Sequence, residues 1–170
     1  MIPQIVIAIA IGLLMPLQAE AAKMEIVTSW IMRHSNQISR STAKKIVEEA
    51  FKVPNPILMI SLMEVESLFN PGAVSRVGAV GLGQVRYEMH QKMLLEIGIT
   101  SRRDLFDITL NVKASSLILQ DMIRRSKGNL TKALHLYLGG RDSKYVARIY
   151  ANYVKLSLEI ENAKAQEEDK

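Results

Sequence analysis

Residues 55–84 read NPILMISLMEVESLFNPGAVSRVGAVGLGQ. Asn55-Pro56 marks a helix start, with Asn as cap and Pro at the first helical position. The run from Pro56 to Phe69 is apolar almost all round, so it predicts a helix buried at the centre of a domain. Asn70-Pro71 ends it. Its two acids are two positions apart, about 200° around a 3.6-residue helix. Glu64 shares a stripe with Ser61 and Ser67, which reads as a polar face. Glu66 continues the apolar stripe of Met59, Leu62 and Met63. A carboxyl that loses water there is held protonated to higher pH, which a general acid requires. From the helix alone, a Glu66 that reaches solvent at the helix end, or pairs with an Arg, is an equal alternative. The following loop carries Gly72, Gly78, Gly81 and Gly83, which let a backbone turn tightly near a ligand. No Lys-Ser/Thr follows, so it is not a phosphate-binding loop.

Outward from this stretch the chain reads as helices. Helical spacing and caps predict 41–51, 86–97 (stopping at Gly98), 110–126, 130–138 (capped by Asn129, stopped by Gly139-Gly140) and 143–158. Aromatic residues are 5% of the chain and no long period-2 alternation occurs, so strands are not expected.

The ends read differently. Ile5 to Leu14 is an apolar run, followed by Pro16 and Ala19-Glu20-Ala21. We expect residues 1–21 to be a cleaved secretory signal, with an uncleaved N-terminal anchor as the alternative; either exports the domain at 22–158. Residues 159–170 read as a polar, acidic tail.

Composition narrows the chemistry. The chain has 170 residues, 48% of them hydrophobic, and no Cys, which excludes a disulfide framework, thiol chemistry and Cys-held metal. His34, His90 and His135 lack metal-ligand spacing, and neither a metal nor another cofactor is expected. Ser67 sits in no nucleophile elbow. Asp107 reads as the cap of the following helix rather than a second acid. The formal net charge is +5. Residues 22–156 hold 20 Lys and Arg against 11 Asp and Glu, a body near +9. That charge suits an acidic partner. Nucleic acid is not the expected one, because no recognition helix stands out.

The window from Glu66 to Gln84 resembles the soluble (SLT) type of lytic transglycosylase domain, in the lysozyme-like superfamily. The signature E-S-x-x-N-P-x-A-x-S-x-x-G-A-x-G-L-x-Q is matched without a gap by Glu66, Ser67, Asn70, Pro71, Ala73, Ser75, Gly78, Ala79, Gly81, Leu82 and Gln84. Pro56, Leu105-Phe106-Asp107, Asn111 and Ala133-Leu134 also fall on family positions, and the likeness covers about residues 50–155. It implies a mainly α, lysozyme-like domain with a Gly-rich active-site loop. It further implies cleavage of the β-1,4 bond between N-acetylmuramic acid and N-acetylglucosamine in peptidoglycan, with Glu66 as the single acid and base. Ser67, Ser75 and Gln84 are implied to face substrate. Tyr137, in Leu136-Tyr137-Leu138-Gly139-Gly140, matches the tyrosine bonded near the catalytic acid. A later family tyrosine falls on Tyr145. Leu138 departs from the usual Asn, Gly83 stands where Met is common, and Val85-Arg86-Tyr87 lacks the usual Met-Pro. The expected partners are peptidoglycan strands, with a secretion, conjugation, pilus, flagellar or phage apparatus by analogy. A hydrolytic muramidase and a weakly active wall-binding component are the alternatives.

Overall fold

A computed structural model describes residues 4–168, with side chains for residues 18–166. The leader expected over residues 1–21 therefore falls mostly outside the described side chains. Among the described residues the chain is α-helical, with isolated bridges at Val74–Val80 and Val80–Val85 in place of any strand. No helix among them is long and apolar enough to cross a membrane.

The elements are α1 (Gln4–His34), α2 (Arg40–Ala50), α3 (Pro56–Ser67), α4 (Tyr87–Leu95), a 3₁₀ turn (Arg102–Phe106), α5 (Ile108–Arg125), α6 (Leu130–Leu138) and α7 (Ser143–Glu168). Local chemistry explains the ends. The side chains of Ser39, Asp107 and Asn129 accept from the backbone N–H of Thr42, Leu110 and Lys132, capping α2, α5 and α6. Gly139 closes α6 in the left-handed region, at φ 78°. At Asn55 the expected position holds but the expected bond does not. Asn55 is itself left-handed and makes no side-chain cap, so the Pro56 ring sets the start of α3.

Helix α3 is the hub. Ile57 through Glu64 are all buried, and the helix packs most extensively on α7. The core has two lobes. One gathers α1, α2, α3 and α7 around Ile31, Ile46, Ile60 and Ile149. The other gathers the loop valines Val80 and Val85 with α4, the 3₁₀ turn and α5. Tyr137 packs against both, so the loop that joins them lies at their seam.

Two expectations change. The predicted helices leave residues 22–34 unassigned, whereas in the structure these residues complete α1 and bury Val27, Trp30 and Ile31. The helix expected to stop near residue 158 continues to Glu168, burying Ile160 and pairing Glu159 with Arg33 at 2.6 Å.

Candidate active site

Glu66 stands in the last turn of α3. Leu68 and Phe69 follow in the left-handed region, at φ 51° and 62°, and turn the chain away from the helix axis. The fully buried Phe69 anchors that turn. Glu66 thereby projects at the helix end without losing its shield. The Tyr145 hydroxyl donates to its Oε1 at 2.5 Å. Burial pushes the Glu66 carboxyl up to about 6, against the downward pulls of the Tyr145 hydrogen bond and the Arg148 charge. Burial and the neighbouring Glu66 raise the Tyr145 hydroxyl in turn, so it remains a donor. Tyr145 is held by the start of α7, where Asp142 Oδ1 accepts from the backbone N–H of Lys144 and Tyr145.

The tyrosine that hydrogen-bonds to Glu66 is thus Tyr145, while Tyr137 lines the same cleft as Glu66, close enough to feel its charge. Tyr137 donates instead to the Gly83 carbonyl at 2.8 Å. Burial raises its hydroxyl first, and Glu66 adds to the shift, so it too stays protonated.

The loop is fixed through its backbone. Ser67 Oγ lies 2.8 Å from the Leu82 carbonyl and 3.1 Å from that of Met63, so its one proton is spent tying loop to helix. Asn111 satisfies every polar group of its buried amide. Its Nδ2 donates to the carbonyls of Val80 and Leu105, and its Oδ1 accepts from Gly83 N–H and the Ser115 hydroxyl. A Cβ at Gly83 would overlap Ser115 and press on the Tyr137 hydroxyl. The departure from Met at this position is a packing requirement here. Ser75 Oγ accepts from Ala79 N–H within the loop. Gln84, left-handed at φ 50°, donates its side-chain N–H to the carbonyls of Gly81 and Ala73.

Two clefts meet at Glu66 and Gln84. One, of about 830 Å³, is lined by Ser75, Val77, Arg86, Met89, His90, Arg125, Tyr137 and Leu138 among others. Leu138 is 40% exposed there, so the departure from Asn makes that wall apolar. The other cleft, of about 630 Å³, is lined by Glu64, Ser67, Val74, Arg148 and Asn152.

Glu64 corrects a sequence expectation. It is 7% exposed, beside a fully enclosed Ser61, and so does not form an exposed polar face. Trp30 Nε1 donates to its Oε2 at 2.7 Å across α1 and α3. Asp107 caps α5, as its position in the sequence suggests.

Sequence reasoning missed Trp30, Ser115, Arg148 and Asn152. For the last two a signal existed: Tyr145, Arg148 and Asn152 are spaced i, i+3, i+7 and share one face of α7.

The family model described as Transglycosylase SLT domain matches residues 43–152. The comparison with curated proteins gives no match.

Proposed function

This chain belongs to the transglycosylase SLT domain family, whose members act on peptidoglycan and are generally lytic transglycosylases, and from that premise we propose that Glu66 is the single acid and base of such a reaction. The observation that supports this best is one shielded carboxyl, raised to about 6 and oriented by Tyr145, where two clefts meet.

On this reading a glycan strand lies along both clefts with the scissile bond over Glu66. Protonated Glu66 gives its proton to the glycosidic oxygen as the C1–O bond breaks. The Glu66 carboxylate then takes the proton of the muramoyl C6 hydroxyl while O6 bonds to C1. The products are a 1,6-anhydro end and a free 4-hydroxyl, no water is consumed, and Glu66 is protonated again. A second carboxylate is dispensable because the nucleophile is the substrate's own hydroxyl, unlike the paired acids of most glycoside hydrolases. Tyr145 steadies the carboxylate form. Ser75 and Gln84, at the loop rim, contact the sugars.

Peptidoglycan lies outside the cytoplasmic membrane, so the proposal includes export, with the apolar run Ile5 to Leu14 as its signal. The domain body at 22–158 suits the opening of local gaps for an envelope-spanning machine.

Mass spectrometry of digested peptidoglycan tests the reading. Anhydro ends from the wild type, lost in Glu66→Gln, support it. Reducing ends instead identify a hydrolytic muramidase. No products from either protein identify a wall-binding component.

A further inference from the structure

The smaller cleft contains a cation that the mechanism above does not use. Arg148 projects from α7 one turn beyond Tyr145, and its charge acts on both Glu66 and Tyr145. It is exposed, lines the cleft wall, and takes part in none of the ion pairs among the described residues. Asn152, one turn further along α7, lines the same cleft and adds an amide. Of the acids on that wall, Glu64 is turned to Trp30, and Glu66 is neutral in its acid step. A guanidinium offers planar paired donors that fit a carboxylate, and beside a partly shielded wall such a bond is stronger than in bulk water.

We propose that Arg148, with Asn152 beside it, is a recognition site for a carboxylate carried by the glycan strand on the flank of Glu66. The proposal rests on the peptidoglycan reading for its substrate class. Peptidoglycan carries carboxylates in two places: on its stem peptides, and on the muramoyl lactyl group once the peptide is removed. The site would select strands by their side groups, whereas Glu66 acts on the bond.

The test is calorimetric binding on the inactive Glu66→Gln protein, with and without Arg148→Ala. Three probes are compared: strands with intact stem peptides, strands stripped by an amidase, and neutral chito-oligosaccharide. We expect Arg148→Ala to weaken at least one carboxylate-bearing strand about tenfold, with neutral oligosaccharide unchanged within twofold. Arg148→Lys should recover part of the loss. Weakening confined to intact strands assigns the stem peptide, and weakening confined to stripped strands assigns the lactyl group. Equal weakening of all three probes, or of none, overturns the proposal. Because binding is read without turnover, absence of anhydro products from the wild type would sink the cleavage reading separately.

Discussion

Glu64 and Glu66 stand two residues apart on one helix, each partly or wholly shielded, each accepting one hydrogen bond from an aromatic side chain. What differs is where the partner comes from and what else is near. Glu64 is held by Trp30 of α1 and borders only the smaller of the two clefts. Glu66 is held by Tyr145 of α7, where the two clefts meet. The pair teaches that burial alone does not bring a carboxyl to the place where two clefts meet. An acid bonded across two helices at the edge of one cleft ties those helices together, whereas one held where two clefts meet is placed to reach a substrate.

The largest expected effect is on Glu66 itself. Glu66→Gln should lower glycan cleavage by about a thousandfold or more, with unchanged helical circular dichroism, since removal of the general acid takes away most proton-transfer catalysis. Glu64→Gln should leave turnover within a few-fold; if it matched the loss at Glu66, the division of labour would collapse.

Next comes the structural partner. Trp30→Phe leaves a buried carboxylate without its donor and should cost about 1–3 kcal/mol in denaturant unfolding. Activity per folded molecule should stay within about twofold. An activity loss without a stability loss would reverse the roles given to the two acids.

The third effect, of similar size, is pH-linked. The folded Glu66 carboxyl is raised from 4.5 to about 6. Its stability contribution is complete below 4.5 and is lost as pH rises through about 6. Glu66→Gln removes that dependence, so its stability relative to wild type should grow by about 2 kcal/mol between pH 4.5 and 7. Parallel stability–pH curves for the two proteins would refute the shielding.

The smallest is Tyr145→Phe. We expect about a tenfold fall in kcat, the loss of one charge-assisted hydrogen bond. The hydrogen bond lowers the Glu66 carboxyl, so its removal should shift the alkaline limb of kcat/KM upward from about 6. Tyr137→Phe, which frees the Gly83 carbonyl, should leave that limb nearer its wild-type place.

What was legible in the sequence was local. Caps at Asp107 and Asn129 and the Gly139 stop act within one or two turns, and the gap-free signature from Glu66 to Gln84 is one contiguous stretch whose family resemblance implied the mainly α, lysozyme-like fold. What was not legible was long-range. Trp30 and Glu64 lie 34 positions apart, Tyr145 and Glu66 lie 79 apart, and helical period says nothing about which faces meet. The stripe of Ser61 and Glu64 looked solvated because its partner on α1 is out of reach of any local pattern. The continuation of α7 past residue 158 was hidden for the same reason: Ile160 is the one large apolar residue in a polar run, and its burial in the helical core depends on elements far off in sequence.

The loop beside Glu66 is clamped by main-chain groups: Leu82 and Gly83 carbonyls held by Ser67 and Tyr137, and Val80 carbonyl and Gly83 N–H held by Asn111. Val74, Arg76 and Val77 are exposed, Val77 to 66%, and their side chains take no part in the clamp. For directed evolution this separates two kinds of position. A library randomised at 74, 76 and 77 can reshape what the rim grips, while the frame that aims the acid is inherited intact by every member.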